Sequence, residues 1–250
     1  MHPHRSTIKT WLQLLRAPNL FTVPGDPLAG FLLAAAGGGG VAQTASLCRG
    51  GVFLAMAASL CIYCYGLLLN DLMDFEEDRR ERPSRPLPSG AARVRTVALV
   101  AALLAVTGLT CSFFAGVQAF WTGLALAGSV TLYDFIGKKI PLFAQVNMGA
   151  CRGLSVLLGA AAAGGIFQTR PLIAALIVTI YIAAVTSLSR FETQFPKLPP
   201  WIGTLIRALL FLQAAFCIWS GTGTAGIAAA LALLALWPVS RAVGKKFYAS

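Results

Sequence analysis

Long apolar stretches separated by short polar segments run through the whole chain. Eight of them approach the roughly 20 residues that a helix needs to cross the hydrocarbon of a bilayer: 18–36, 51–70, 94–115, 117–136, 146–166, 171–189, 201–219 and 222–241. In lipid an open chain must satisfy its backbone hydrogen bonds within each segment, so every stretch is predicted to be an α-helix. The pattern predicts an all-α, multi-pass transmembrane bundle of about eight helices, formed by a single domain over residues 1–250.

The links between the stretches predict how neighbouring helices are joined. The links near residues 116 and 221 are very short, so the third and fourth helices, and the seventh and eighth, should form hairpins. The first stretch contains Pro18, Pro24 and Pro27, and proline inside an apolar run kinks or interrupts a helix. We therefore expect a broken or tilted first helix that stays in the protein, since the segment lacks the features of a cleaved signal peptide.

Composition supports a membrane protein. The chain is 57% hydrophobic and 12% charged, with a mean hydropathy of +0.73, whereas soluble domains carry about 25% charged residues. The net charge of +11 does not indicate nucleic-acid binding, because the basic residues lie in short segments between apolar stretches. The lipid bilayer is the expected environment, with no nucleic-acid partner.

Arginine and lysine are distributed unevenly between the two sides of the membrane. With the N-terminus placed in the cytoplasm, sixteen of the twenty fall in inner segments, and only Arg49 and Arg170 fall in outer ones. Because positive loops are retained inside, both termini and the long polar loops are predicted to be cytoplasmic. We expect an integral protein of a bacterial inner membrane.

Six of the nine acidic residues fall within eleven positions, between Asp71 and Glu81, directly after the second apolar stretch. At 100° per residue, Asp71, Asp74 and Asp78 lie at roughly 0°, 300° and 340° around a helix, so they share one face. Such carboxylates repel one another unless a cation joins them, and Mg²⁺ prefers oxygen ligands together with substrate phosphates. The window predicts a magnesium–diphosphate site at the membrane rim; a solvated acidic loop balanced by neighbouring arginines is the alternative.

A proline-rich segment, Arg82-Pro-Ser-Arg85-Pro-Leu-Pro-Ser-Gly, follows the acidic window. Its prolines stiffen the backbone. Arg82 and Arg85 place two guanidiniums beside the carboxylates, and guanidinium binds phosphate oxygens in a planar fork. Clustered carboxylates, adjacent arginines and a membrane setting together indicate a lipid diphosphate as the ligand.

Asn70-Asp71-x-x-Asp74-x-x-x-Asp78 followed by this proline-rich segment resembles the signature of the UbiA superfamily of intramembrane prenyltransferases. The resemblance covers about residues 16–195 and implies a helical bundle, usually of nine helices, around a central cavity. It implies that Mg²⁺ bridges Asp71, Asp74 and Asp78, with Asn70 assisting, to an isoprenyl diphosphate donor. Arg82 and Arg85 would neutralise the leaving pyrophosphate. The prenyl group would then pass to a lipophilic acceptor, aromatic or quinone-like.

Two shorter matches support the resemblance. Arg16-Ala-Pro18-Asn19 opens the first helix as in the family, and Tyr133 is followed by Lys138 at a similar spacing. The resemblance implies that Lys138 meets the diphosphate. Anchoring of the topology is the alternative role for Lys138 and its neighbour Lys139.

The second acidic motif of the family is degenerate in this chain. Where the family has an Asp-rich run after the sixth helix, this chain has Ser189-Arg190-Phe191-Glu192, with a single carboxylate. The resemblance makes Glu192 the candidate ligand of a second Mg²⁺ and Arg190 a candidate for diphosphate binding. The Ser-Arg-x-Glu form is similar to a divergent bacterial and algal branch, the EboC-like proteins. A non-catalytic prenyl-diphosphate binder or carrier is therefore the alternative function.

Three polar residues within or near apolar stretches are further candidates for substrate binding: Asp26, Asn147 and Arg152. A charge in hydrocarbon is costly, so Arg152 must face a partner or the cavity, or else snorkel to the interface. Asp26 lies in the interrupted first helix and is expected to line the cavity. Asp134 is expected to pair with Lys138, one helical turn later.

Overall fold

The computed structural model describes residues 7–37, 50–137, 140–191 and 198–247, which form helices joined by turns. The predicted all-α fold is confirmed. In chain order the helices are α1 (Thr7–Leu14), α2 (Ala17–Leu20), α3 (Gly25–Gly37), α4 (Gly51–Met73), α5 (Phe75–Glu81), α6 (Val94–Ala115), α7 (Val117–Phe135), α8 (Pro141–Ala162), α9 (Thr169–Ser189), α10 (Leu198–Trp219) and α11 (Thr224–Phe247).

Each of the eight predicted spans coincides with a long helical segment in the described part of the chain. Six of these segments, among them Ala17–Gly37 and Gly51–Met73, are long and apolar enough to cross a bilayer. The largest shift is in α8, predicted at 146–166 and observed at Pro141–Ala162. A proline in its first turn and Gly164 (φ 77°) after its last turn set these bounds, and hydropathy does not register such caps.

The predicted break in the first span and the two predicted hairpins are confirmed. Residues 21–24 form a turn between α2 and α3. Only Gly116, with a φ of 133°, separates α6 from α7. Gly221 and Gly223, with φ of 72° and 64°, turn the chain between α10 and α11. Glycine adopts positive φ without the steric cost that a Cβ brings, which is why these links can be so short.

Helices α3 and α8 lie at the centre of the bundle, because both contribute to its two large buried clusters. One cluster joins them to α9, α10 and α11 through side chains such as Leu32, Val156, Val178, Leu209 and Leu233. The other joins them to α4 and α7 through Phe31, Ala58, Leu126 and Leu158. Large apolar side chains on the outer faces, such as Leu103, Trp121 and Ile180, are more than half exposed, as expected for a surface that faces lipid.

One end of the bundle, hereafter the mouth, is formed by the end of α4, α5 and the turn 82–93. A third buried cluster fastens it together: Leu14 of α1 packs with Leu68 of α4, Leu87 of the turn and Val97 of α6. The turn is held by its own hydrogen bonds, including Ala92 N–H to Pro86 O (3.1 Å). The proline-rich segment is therefore a compact, ordered structure beside the acidic window.

Candidate functional site

The acidic window lies where α4 passes into α5 at the mouth. Asn70 and Asp71 occupy the last turn of α4, Asp74 is the junction residue, and Asp78 lies in α5. The junction stays nearly helical, because Asp74 N–H donates to Asn70 O (2.9 Å) and Asp78 N–H donates to Asp74 O (2.8 Å). Asp71 is consequently within electrostatic range of both Asp74 and Asp78. The three aspartates gather on one side, as the spacing predicts.

Asp78 is the most buried aspartate of the window and has its own cation. Its Oδ2 lies 2.6 Å from Nη1 of Arg85, and the two side chains are 7% and 33% exposed. Arg85 comes from the ordered turn after α5, so the pair fixes that turn against the helix. Arg82 caps the end of α5 and is exposed.

Arg16 reaches the same site from the opposite side, between α1 and α2. Its Nη2 lies 3.4 Å from Asn70 Oδ1 and 4.0 Å from Asp71 Oδ1. Its backbone has φ 45° and ψ 55°, and no other non-glycine residue in the described ranges has a positive φ. A side chain in this region costs about 1–3 kcal/mol, and such residues concentrate at functional sites.

Asn70 also contacts α7. Its Nδ2 donates to Asp134 Oδ1 over 3.0 Å, and Asp134 is only 1% exposed. Asn70 is thus a partner of Asp134; Lys138 lies outside the described residues, so its predicted pairing with Asp134 stays a prediction. By holding the amide nitrogen, Asp134 leaves the amide oxygen of Asn70 directed to Arg16.

The donor set at the mouth suits Mg²⁺ in its chemistry. Asn70, Asp71 and Asp74 offer oxygen atoms, and Mg²⁺ needs only one or two carboxylates when substrate phosphates and water complete its shell. Within the described ranges, no three acidic, histidine or cysteine side chains are already grouped closely enough to hold an ion. Asp78 is turned to Arg85, and the predicted metal-binding role of Asp71 and Asp74 stays a prediction.

Asp26 and Arg152 form a separate buried ion pair in the interior. Arg152 Nε lies 2.8 Å from Asp26 Oδ2, and Gln213 Nε2 donates to Asp26 Oδ1 over 2.6 Å. Arg152 Nη2 and Gln213 Nε2 also donate to the carbonyl oxygen of Thr22, at 2.9 and 2.7 Å. The pair braces the break between α2 and α3. Asp26 is 0% exposed and serves this ion pair; its predicted contact with substrate stays a prediction.

Asn147 is likewise occupied within the bundle. Its Nδ2 donates to Ser129 O (2.9 Å) and its Oδ1 accepts from Ser129 Oγ (2.8 Å). With 8% exposure, the side chain ties α8 to α7 and is not open to a ligand. The predicted contact of Asn147 with substrate stays a prediction.

Of the remaining predicted site residues, the structure describes only Arg190. Arg190 caps α9 and is exposed. Ser189 Oγ donates to Thr186 O within its own helix (2.9 Å). Lys138 and Glu192 lie outside the described residues, so their predicted contacts with diphosphate and metal stay predictions.

Two cavities lie among the long helices of the bundle. A small one of about 30 Å³ is lined by polar and apolar side chains, including Ser59, Tyr63, Arg152 and Ser155. A larger groove of about 600 Å³ is lined mainly by apolar side chains of α4, α6 and α7, with Tyr65 and Thr131 as its polar members. Their hydroxyl groups are hydrogen bonded at 2.8 Å.

Sequence comparison identifies the family. The profile of the UbiA prenyltransferase family matches residues 27–248. The chain belongs to this family.

Relatives and solved structures of UbiA proteins agree with this assignment. The chain is 30% identical over 189 residues to the digeranylgeranylglyceryl phosphate synthase of Thermococcus gammatolerans, covering 74% of this chain and 64% of the relative. It is 28% identical over 224 residues to the enzyme of the same name from Thermococcus kodakarensis, covering 84% and 76%. The first match therefore spans less than two thirds of the relative.

Two solved structures share the UbiA fold with this chain. A digeranylgeranylglyceryl phosphate synthase superposes with a TM-score of 0.59 at 19% identity, covering 98% of this chain and 94% of that one. The UbiA homologue of Archaeoglobus fulgidus bound to DMAPP and Mg²⁺ gives a TM-score of 0.59 at 14% identity, with coverage of 94% and 85%. The predicted helical bundle of the UbiA family is confirmed.

Sequence reasoning assigned neither Arg16 nor the Asn70–Asp134 contact to the mouth, and it did not find Gln213 beside Asp26 in the interior. The available signal for Arg16 was a charge at the very edge of an apolar stretch, directly before Ala-Pro-Asn. That charge entered the topology count and the family match at Arg16-Ala-Pro18-Asn19, but no contact at the site was assigned to it. No local signal pointed to Gln213, because its contacts to Thr22 and Asp26 cross 191 and 187 residues.

Proposed function

We propose that this UbiA-family chain is a Mg²⁺-dependent prenyltransferase that moves a prenyl group from an isoprenyl diphosphate to a lipophilic acceptor within the membrane. One observation carries the proposal: carboxylates and guanidiniums meet at a single mouth of an apolar helical bundle. Asp71 lies among Arg16, Arg85, Asp74 and Asp78. Alternating charges of this kind match a metal-bound diphosphate, which carries negative oxygens and brings positive ions with it.

Different residues of the mouth are proposed to bind the metal and the diphosphate of the donor. Asp71 and Asp74, with the amide oxygen of Asn70, would hold Mg²⁺ and through it the diphosphate. When bound there, Mg²⁺ would supply Lewis-acid stabilisation of the negative charge on the leaving pyrophosphate. Arg82 and Arg85 bind the same oxygens, and Asp78 fixes the position of Arg85 through their 2.6 Å contact. Lys138 and Arg190 are proposed as further cations for the pyrophosphate.

The apolar groove between α4, α6 and α7 is the proposed site of the prenyl tail. Thr131, Leu132 and Phe135 line it at the end of α7. Asp134 lies in the same helical turn and is hydrogen bonded to Asn70 of the mouth. Hydrocarbon walls keep water away from the reactive allylic carbon after the pyrophosphate has left. Little water is therefore available to compete with the acceptor for the prenyl group.

The acceptor is proposed to be a lipid with a nucleophilic carbon or hydroxyl group. Aromatic and quinone-like rings fit the resemblance described above. The names of the relatives, digeranylgeranylglyceryl phosphate synthases, add a glyceryl lipid to the same panel. We further propose that the mouth faces the cytoplasm, in a bacterial inner membrane.

The decisive experiment is an assay of purified protein in nanodiscs with Mg²⁺ and a panel of prenyl diphosphates and acceptors. Pyrophosphate release and lipid mass spectrometry report turnover. Asp71→Asn and Asp74→Asn should each lower kcat/KM by about 100-fold or more, because each removes an oxygen charge from the metal site. Glu77→Gln, an exposed acid in the same window, is the matched control and should stay within about threefold of the wild type.

The assay also separates the enzyme from its rival. Tight binding of a prenyl diphosphate without pyrophosphate release, for every acceptor tested, would replace the prenyltransferase with a carrier. The degenerate motif around Glu192 makes this the one alternative worth testing. Glu192→Gln should weaken Mg²⁺ dependence if the single carboxylate holds a second ion.

A further inference from the structure

We propose that Arg16 is a movable counter-ion of the mouth: it neutralises Asp71 before the metal binds and then turns to the diphosphate. The inference rests on the proposed function and adds a donor-binding residue that lies outside the acidic and proline-rich motifs. It follows from the backbone of Arg16, from the looseness of its contacts and from the charges around it.

The backbone of Arg16 is held in place from both sides. Its N–H donates to Gln13 O (3.0 Å), and its own carbonyl accepts from Asn19 N–H (2.9 Å). Leu14 and Pro18 on either side are buried, so the left-handed conformation is imposed by packing around it. The result is a guanidinium aimed at the end of α4, across 54 residues of sequence. A strained residue that points into a charged site is arranged for that site and not for the local turn.

The two arginines that contact aspartates of the mouth, Arg85 and Arg16, are held very differently. Arg85 contacts Asp78 at 2.6 Å, which is a short, charge-assisted pair. Arg16 contacts Asn70 at 3.4 Å and Asp71 at 4.0 Å, near the outer limits of a hydrogen bond and an ion pair. Its side chain stays 44% exposed. Arg16 is therefore the cation that can move without breaking a tight contact.

Charge determines the direction of the movement. Mg²⁺ bound at Asp71 and Asp74 cancels the negative charge that attracts Arg16. The diphosphate arrives at the same time with several anionic oxygens, which a guanidinium binds in pairs and more strongly than a lone carboxamide oxygen. Metal loading therefore releases Arg16 and the donor captures it. The exchange predicts that Arg16 opposes metal binding alone and favours donor binding.

Two binding measurements on the full chain in nanodiscs test this pair of opposite effects. Mn²⁺ titration followed by EPR gives metal affinity without diphosphate, and calorimetric titration of inorganic pyrophosphate at saturating Mg²⁺ gives ligand affinity. In Arg16→Ala, Mn²⁺ should bind about threefold more tightly or better, since a competing cation is lost. Pyrophosphate should bind about tenfold more weakly.

Companion variants separate charge from structure. Arg16→Gly removes the guanidinium but accepts a positive φ, so it should fold with unchanged thermal stability and show the same opposite shifts. Arg16→Lys keeps the charge and should restore most of the metal effect but only part of the pyrophosphate affinity. Arg241→Ala, an exposed arginine on α11, should leave both affinities unchanged.

The outcomes decide between the claims. If both affinities fall together, or neither changes, Arg16 is structural and the inference is wrong while the proposed function stands. If the wild type itself does not bind pyrophosphate with Mg²⁺, the proposed function fails together with the inference.

Discussion

Four aspartates at or near the membrane in this protein each have an identified polar partner. Charges in a medium of low dielectric interact strongly and are costly when alone, and the chain resolves this residue by residue. The pairs are Asp26 with Arg152, Asp71 with Arg16, Asp78 with Arg85, and Asp134 with Asn70. Their separations range from 2.6 Å for Asp78–Arg85 to 4.0 Å for Asp71–Arg16. The loosest of these pairs lies at Asp71, one of the carboxylates proposed to hold the metal.

The interior pair predicts a large loss of stability when one partner is removed. Asp26→Asn or Arg152→Met should each lower the free energy of unfolding by about 3–5 kcal/mol, because the remaining charge stays buried without its partner. Unfolding in mixed micelles, followed by tryptophan fluorescence, measures the change.

The double variant Asp26→Asn/Arg152→Met serves as the control for this pair. Its loss in the free energy of unfolding should be smaller by at least about 1 kcal/mol than the sum of the two single losses. Arg95→Met, an exposed position on α6, should change the free energy by no more than about 0.5 kcal/mol. Strictly additive losses at Asp26 and Arg152 would mean that the two charges do not stabilise each other.

At the scale of elements, the close contact of α3 with α8 is what centres the bundle. A Cβ on Gly30 would meet the carbonyl oxygen of Val156, and a Cβ on Gly159 would meet the carbonyl oxygen of Pro27. Small residues that allow backbones to approach drive helix association in membranes, where burial of apolar surface contributes little. The two helices can touch only because these positions have no side chain.

Adding one methyl group at this contact should be destabilising. Gly159→Ala is expected to lower the free energy of unfolding by about 1–3 kcal/mol, since backbone atoms of α3 must move to admit the Cβ. Gly128→Ala is the matched control on α7, because nothing lies within 4 Å of its Cβ position. Its stability should be unchanged or slightly raised. Equal effects of the two substitutions would contradict the tight contact.

The elements show which parts of this structure a sequence can predict. Long apolar runs identify the helices because lipid allows no other backbone arrangement, and prolines 18, 24 and 27 located the break in the first span. The spacing of Asp71, Asp74 and Asp78 located the mouth, because which residues share a helix face depends only on helical geometry. Partners such as Gln213 could not be found, because they depend on how distant helices pack.

For the molecule as a whole, the arrangement of the two chain ends bears on its orientation. Ser240 Oγ of α11 donates to Pro18 O of α2 over 2.9 Å, so the last helix ends beside the start of the first. An even number of crossings is consistent with this contact. Together with the excess of Lys and Arg in the inner segments, it supports a cytoplasmic mouth and cytoplasmic termini.

Reporter fusions check this orientation directly. A C-terminal green fluorescent protein should fluoresce in intact cells, and a C-terminal alkaline phosphatase should be inactive, because phosphatase folds only outside the cytoplasm. A fusion after Gly221, in the turn on the other side of the bundle, is the matched control and should give the reverse result. An active phosphatase at the C-terminus would invert the proposed topology.

The contacts of Thr22 and Asp26 have a consequence for how this protein is made. The ribosome delivers the first span long before its partners, since Arg152 lies 130 residues and Gln213 191 residues after Thr22. Until those helices emerge, the interrupted segment carries a bare carbonyl and an isolated carboxylate that hydrocarbon does not tolerate. The first span can therefore reach its final depth in the membrane only during the second half of translation. In a nascent chain stalled before Gln213, that span should stay accessible to water.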